Sequence, residues 1–197
     1  MDVRKIIKDA MILFVITLVS GLLLGLAYEV TKGPIEAREL EQKKAAYQSV
    51  FPEAETFVTT DGIEAAVADQ ATVLAAAGIK GVEIMECLAA QDGAGNTLGY
   101  VMNLSFAGSQ GPMTMAYGRS VDGTTKGIDI LTSTETAKMG ALADEPEFKR
   151  QFEMVVTDKF STGGNVDVIS GATITTDAVV NAANAGIVFA AYCGKGE

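Results

Sequence analysis

The residues from Asp167 to Thr173, Asp-Val-Ile-Ser-Gly-Ala-Thr, combine a small-residue turn with a hydroxyl at the start of a predicted helix. The first turn of a helix exposes backbone N–H groups without intrahelical partners and carries partial positive charge, which suits a phosphate. Gly171 and Ala172 let another molecule approach the backbone closely, and Thr173 supplies an oxygen that can be esterified. The alternative interpretation is an ordinary helix N-cap rich in Ser and Thr.

The segment that precedes this turn has the pattern of an antiparallel sheet. Apolar residues recur on both sides of the turn-forming residues 92–96 and predict a hairpin. Two more strands are predicted around residues 113–117 and 128–132. Successive short antiparallel strands followed by helices are typical of an α+β domain. Residues 69–77 are weakly helical or irregular by their sequence.

The segment after the turn predicts an apolar helix from about Thr176 to Tyr192 that packs against the sheet. Thr175 or Thr176 is the expected N-cap of this helix. Asp177 then lies in the first turn, where its charge favours the helix dipole but opposes a phosphate placed very close.

Composition excludes several classes of function. Acidic residues number 25 against 15 basic ones, which argues against nucleic acid as a partner. Histidine is absent, which removes Ser/His/Asp and Cys/His catalysis and the commonest ligand of zinc, copper or haem. We therefore expect no metal site and no catalytic residues. Cys87 and Cys193 are interpreted as buried small apolar residues, and the sequence leaves open whether a disulfide joins them.

Residues 10–28 predict a membrane-spanning helix because they contain no charge and are long enough to cross about 30 Å of hydrocarbon. A cleaved signal peptide is the alternative, but the apolar run exceeds the usual length of a signal sequence. Arg4, Lys5 and Lys8 precede the segment, so the positive-inside rule predicts a cytoplasmic N-terminus and an outward-facing remainder. The Gly21–Gly25 spacing permits close packing against other membrane subunits.

Residues 31–34, Thr-Lys-Gly-Pro, are predicted to break this helix, because Pro suits a first helical turn better than a helix interior. A charged stalk helix is expected to follow. The predicted organisation is a cytoplasmic segment 1–9, a transmembrane helix 10–28, a stalk helix 29–52 and an extracytoplasmic domain 53–197.

The Asp167–Thr173 string resembles the Asp-x-x-(Ser/Thr)-Gly-Ala-Thr signature of a family of FMN-binding domains. These domains occur in the G component of the Rnf electron-transport complex and in the C component of the sodium-pumping NADH:quinone oxidoreductase. The resemblance implies that Thr173 carries FMN through a phosphoester bond, installed by a flavin transferase that uses FAD. It also implies that Asp167, Ser170, Gly171 and Ala172 form the recognition sequence.

Three other segments are similar to the same family: Val50-Phe51-Pro52, the run from Gly99 to Met113, and the run from Thr134 to Gly140 followed by Phe148, Gln151 and Phe152. The Thr134–Gly140 segment resembles a Glu-Thr-Pro-Gly-Leu-Gly loop that lies beside the flavin in the family. Ala137-Lys138-Met139 departs from that pattern. If the loop is retained, Glu135 and Thr136 bond to the flavin and Met139 packs on its ring; a surface loop is the alternative.

The resemblance implies an FMN-carrying electron-transfer subunit of an Rnf-type ferredoxin:NAD⁺ oxidoreductase in the plasma membrane, coupled to ion translocation. Its expected partners are other membrane subunits of that complex, the flavin transferase and the lipid bilayer. Two alternatives remain at this point. One is the C component of the quinone oxidoreductase, and the other is an anchored structural or ligand-binding module without flavin.

Overall fold

The computed structural model describes residues 3–133 and 140–194. The helices in these residues are α1 (Val3–Val50), α2 (Asp61–Ala68), α3 (Gln70–Ala76), α4 (Pro146–Lys149) and α5 (Thr173–Cys193). The strands are β1 (Thr56–Val58), β2 (Val82–Gln91), β3 (Thr97–Ala107), β4 (Pro112–Ser120), β5 (Thr124–Ser133) and β6 (Val155–Val156). Two short 3₁₀ helices, Gly140–Asp144 and Arg150–Phe152, flank α4.

The chain divides into two compact units, Met1–Gln42 and Lys43–Glu197. In the first unit the helix α1 carries a long apolar stretch whose large side chains, such as Leu22 and Leu24, are exposed. It is apolar and long enough to cross a membrane. Helix α5 is also long and apolar enough to cross a membrane. Most of its apolar stretch is buried in the second unit, however, as in the core helix of a globular domain.

Helix α1 is continuous through Pro34, so the predicted break at residues 31–34 is wrong. A proline inside a helix removes one backbone hydrogen bond and crowds the preceding turn. The loss is local, and helix propagation from the long helical segments on both sides outweighs it. In the turn before Pro34, the Thr31 hydroxyl donates to the carbonyls of Ala27 and Tyr28, at 2.8 and 3.2 Å.

The second unit is built on a six-stranded antiparallel sheet in the order β1-β2-β3-β4-β5-β6. The α+β class and the four strands predicted from periodicity are confirmed. The edge strands β1 and β6 contain three and two residues, too few to show a period in the sequence. The segment predicted as weakly helical belongs to α3, and α2 precedes it with Thr60 as its N-cap.

One face of the sheet is covered by α5, which confirms the predicted packing of this helix. The shared core includes Met102, Leu104 and Tyr117 from the sheet and Val179 and Phe189 from α5. Burying these side chains supplies the main stabilising free energy of the domain. This packing fixes the position of Thr173, the first residue of α5, relative to the sheet.

The opposite face packs against the last turns of α1, within the second unit. Tyr47, Val50 and Phe51 are buried there with Val101 and Ala116 of the sheet. The Tyr47 hydroxyl donates to Glu86 of β2 at 2.6 Å, and the Lys43 ammonium pairs with the same carboxylate at 2.6 Å. The last turns of α1 therefore pack as part of this unit.

Candidate functional site

A tight turn leads directly into α5. The Ala172 N–H donates to the Ile169 carbonyl at 2.9 Å, which closes a four-residue turn with Ser170 and Gly171 at its centre. Gly171 has a φ of 78°, the left-handed conformation that the third position of a type II turn requires. Residues with a Cβ adopt this conformation at a cost, which explains glycine at this position.

Helix α5 begins at Thr173, with Ala172 as its N-cap. The predicted start near Thr176 and the predicted N-cap at Thr175 or Thr176 are therefore wrong. Asp177 also lies beyond the first turn of the helix. The hydrophobic pattern misplaced the start because Ala172 has no side-chain oxygen and the helix begins without the usual Ser or Thr cap.

Thr176 instead stabilises the turn from inside the core. Its hydroxyl donates to the Ala172 carbonyl at 3.0 Å and accepts the Ile169 N–H at 3.1 Å. Both bonds are buried. The side chain thus joins the first turn of α5 to the residue that opens the preceding turn.

Thr173 is exposed at the tip of α5. The first backbone bond of the helix runs from the Thr176 N–H to the Ala172 carbonyl at 3.0 Å. The N–H groups of Thr173, Ile174 and Thr175 precede that bond and have no intrahelical acceptor. An oxygen bound at this tip would meet these N–H groups and the positive end of the helix dipole.

The start of the turn is held by a second contact. The Asp167 N–H donates to the Gln151 side-chain carbonyl at 2.6 Å. Gln151 lies in the 3₁₀ helix that follows α4. Phe148 of α4 and Phe152 of the 3₁₀ helix are both buried, and their rings pack edge to face at 5.5 Å between centroids. These aromatic anchors fix Gln151, and Gln151 fixes the backbone at Asp167.

A groove of about 470 Å³ lies beside this contact. Its lining combines apolar side chains with carboxylates and one amide: Leu142, Glu145, Glu147, Phe148, Gln151, Asp167, Val168 and Ile169. The volume is within the range of roughly 300–1,000 Å³ that is common for small-molecule sites. Because three carboxylates line the groove, it suits an uncharged, partly apolar group better than an anion.

Five of the predicted site residues, Asp167, Ser170, Gly171, Ala172 and Thr173, lie together in this turn. Asp167, Ser170, Gly171 and Thr173 are exposed, and Ala172 is buried. The other three, Glu135, Thr136 and Met139, lie outside the described residues. Nothing in the sequence indicated the groove residues Leu142 and Glu145, because no spacing pattern links them to the turn. Val168 lies within the Asp167–Thr173 stretch, and Gln151 within a segment similar to the family, but neither was predicted as a site residue.

Two family models match separate parts of the chain. A family model described as "FMN-binding domain" matches residues 108–188, and one described as "RnfG N-terminal region" matches residues 1–50. The first match includes the groove and the Asp167–Thr173 turn. The second includes all of α1.

Relatives match over nearly their full length. The chain is 34% identical over 190 residues to the G component of an ion-translocating oxidoreductase complex of Methanosarcina acetivorans, with 94% of this chain and 95% of the relative covered. It is 32% identical over 197 residues to the G component of a Na⁺-translocating ferredoxin:NAD⁺ oxidoreductase complex of Acetobacterium woodii, with 94% and 92% covered. A crystal structure of NqrC from Shewanella oneidensis aligns with a TM-score of 0.46 and 20% identity, over 56% of this chain and 59% of that one.

Both relatives are G components of their complexes, and their identity and coverage decide between the two related families that the signature had left open. The chain belongs to the RnfG family, the G components of Rnf-type ion-translocating oxidoreductase complexes.

Proposed function

We propose that this chain carries FMN covalently on Thr173 and relays electrons as the anchored flavin subunit of an Rnf-type ferredoxin:NAD⁺ oxidoreductase coupled to ion translocation. The observation that carries the proposal is the exposed Thr173 hydroxyl at an uncapped helix N-terminus, inside a segment that matches an FMN-binding domain. Flavin supplies the electron chemistry, and the protein supplies position and surroundings.

The residues at the turn fit a phosphate. The free N–H groups of the first turn of α5 can donate to phosphate oxygens, and the helix dipole favours their negative charge. Gly171 lacks a side chain that would obstruct the approach, and Ser170 adds an exposed hydroxyl. No side-chain oxygen of the N-cap residue competes for these donors, because that residue is Ala172.

The groove fits the remainder of the cofactor. Phe148, Ile169 and Leu142 offer apolar contacts to a ring, and the side chain of Gln151 offers an amide. The carboxylates of Glu145 and Glu147 repel a phosphate from the groove, which favours the phosphate at the helix tip. We expect Glu135, Thr136 and Met139 to contribute further contacts to the flavin.

Attachment is a group transfer to the Thr173 oxygen. The bond from this oxygen to the flavin-side phosphorus of FAD forms, the pyrophosphate bond breaks, and AMP leaves. The hydroxyl proton is released to solvent or to a base of the transferase. The product has the mass of the chain plus FMN minus water, and the flavin ring is not altered by the linkage.

The tether serves an outward-facing carrier. A cofactor held by a covalent bond is not lost to the surroundings, and α1 keeps the domain near neighbouring carriers in the membrane. The excess of Arg and Lys before the apolar stretch supports a cytoplasmic N-terminus and an extracytoplasmic domain. We propose other membrane subunits of the complex as donor and acceptor, and a relay role in place of independent catalysis.

The test is the intact mass of the full chain produced together with a flavin transferase. We expect one FMN added with loss of water, and Thr173→Ala is expected to abolish the added mass completely. Thr72→Ala is the matched control, because Thr72 is an exposed threonine on α3, far in sequence from the turn. This control keeps the full FMN mass.

An unmodified wild-type mass under these conditions contradicts the covalent linkage, as does an adduct mapped to another residue. The alternative module without flavin predicts a colourless protein and a gel band without flavin fluorescence. A yellow colour that survives denaturation rejects that alternative.

A further inference from the structure

The two cysteines of the chain meet in the core of the domain. Cys87 lies on β2 and Cys193 is the last residue of α5. Both are buried, with exposed fractions of 2% and 5%, which confirms their interpretation as buried residues. The two thiols form a hydrogen bond with each other, and this bond, together with burial, raises the pKa of Cys87.

This contact is not a consequence of sequence proximity. Cys87 is held by the β2–β3 ladder, where it is opposite Met102. Cys193 is placed by the packing of α5 across the same face of the sheet. Two elements that are far apart in sequence therefore bring the only two cysteines of the chain together in the core.

We propose that Cys87 and Cys193 form a native disulfide that ties β2 to the C-terminal end of α5. The inference rests on the proposed extracytoplasmic placement, because disulfides persist in oxidising compartments and are rare in the cytosol. In the structure both residues are buried cysteines without a disulfide.

The oxidant is a second disulfide, carried by a thiol–disulfide oxidoreductase or a small molecule. Cys193 is expected to react first, because it is the last residue of α5, whereas Cys87 is inside a strand. Its thiolate attacks the oxidant and expels one thiol, which gives a mixed disulfide. Cys87 then gives up its proton and attacks the Cys193 sulfur as a thiolate, which expels the second thiol. The pair loses two protons and two electrons, and the oxidant takes up both as it is reduced to its two thiols.

The bond would stabilise the element that presents Thr173. It closes a long loop that contains β3 to β6 and most of α5, and cross-links of long loops restrict the unfolded chain most. The effect expected on a domain of this size is a rise in Tm of about 10 °C. Helix α5 would then be fastened to the sheet at the end opposite the proposed flavin.

The test counts reactive thiols in the full chain purified from membranes. The protein is denatured in acid, treated with N-ethylmaleimide and weighed by intact mass spectrometry, with and without prior reduction. We expect no maleimide before reduction, two after it, and a monomer on a non-reducing gel. Two reactive thiols before reduction overturn the inference, and so does a cross-linked dimer or an adduct with another thiol.

A second measurement tests whether the two thiols are close enough to be bridged, whichever side of the membrane the domain occupies. The reduced, folded protein is treated with glutathione disulfide, and the wild type is expected to lose two hydrogens and to gain about 10 °C in Tm. Cys87→Ser and Cys193→Ser are matched controls that show neither change. A wild type that stays reduced, or takes up glutathione, overturns the inference.

The same mass spectra keep this inference separate from the proposed function. FMN mass on Thr173 together with reactive thiols would reject the disulfide alone. A disulfide in a chain without flavin would reject the covalent FMN and leave the cysteine pair intact.

Discussion

Thr175 and Thr176 are neighbours in α5, and both are buried, but their hydroxyls have different surroundings. The Thr176 hydroxyl bridges Ile169 and Ala172. The Thr175 hydroxyl has no hydrogen-bond partner among the described residues. A buried polar group without a partner is destabilising, whereas a buried group that satisfies a backbone N–H is costly to remove.

Replacing each threonine by valine separates these two cases. Thr176→Val leaves the buried Ile169 N–H without its acceptor and removes the link between the turn and α5. We expect a loss of about 1–3 kcal/mol in the free energy of unfolding. Thr175→Val keeps the shape, removes an unsatisfied hydroxyl, and is expected to be neutral or stabilising. Thermal melting of the full chain in detergent measures both.

Equal destabilisation by the two variants would contradict the assigned roles of these hydroxyls. Flavin content adds a second readout, because Thr176 positions the turn that carries Thr173. We expect Thr176→Val to take up less FMN than Thr175→Val under the same conditions.

At the scale of elements, the distance between α5 and the sheet is set by one glycine. A Cβ placed on Gly186 would overlap the ring of Tyr117. That ring is fully buried on β4, and its hydroxyl is bonded to that of Thr125 at 2.9 Å, so the ring cannot move aside. Glycine therefore permits the close approach of the helix.

Gly186→Ala is expected to force α5 away from the sheet and to cost about 1–3 kcal/mol, the usual range for overpacking a core. Gly62→Ala is the matched control on α2, since a Cβ there meets only the Thr60 hydroxyl, at 3.9 Å. The control is expected to be neutral or slightly stabilising, because Ala favours helices over Gly. Urea unfolding monitored by circular dichroism measures the difference, and an unchanged Gly186→Ala variant would falsify the close-packing argument.

At the scale of the whole molecule, the two ends of the apolar stretch differ in the charge of the residues that flank them. The formal net charge is −10, yet Arg4, Lys5 and Lys8 cluster ahead of residues 10–28. Positive charges flanking a membrane helix tend to stay in the cytoplasm. The cluster is therefore the feature that would orient the chain and determine on which side of the membrane the Thr173 turn lies.

Replacing Arg4, Lys5 and Lys8 by Gln is expected to lower the fraction of chains whose domain faces outward. Reporter fusions after residue 194 measure this, with alkaline phosphatase active outside and a fluorescent protein active inside. The matched control changes Lys80, Arg150 and Lys159 to Gln, which removes the same charge from exposed positions of the domain. The control keeps the wild-type orientation. A wild-type chain whose fluorescent-protein fusion is fluorescent and whose phosphatase fusion is inactive would reject the extracytoplasmic placement.

The sequence by itself determined the features that depend on neighbouring residues. The apolar run of α1, the alternation of β2 to β5 and the small residues of the Asp167–Thr173 turn are each encoded within a short window. The family signature lies within one such window. These features were sufficient to predict the α+β class and the family.

The tertiary structure decided what depends on distant or competing contacts. Helix α1 continues through Pro34 because cooperative helix propagation outweighs one lost hydrogen bond, and α5 begins at Thr173 because Thr176 bonds back to the turn. The groove and the Cys87–Cys193 contact join residues from separate elements. Their positions follow from burial across the sheet, and a local pattern carries no information on which buried faces meet.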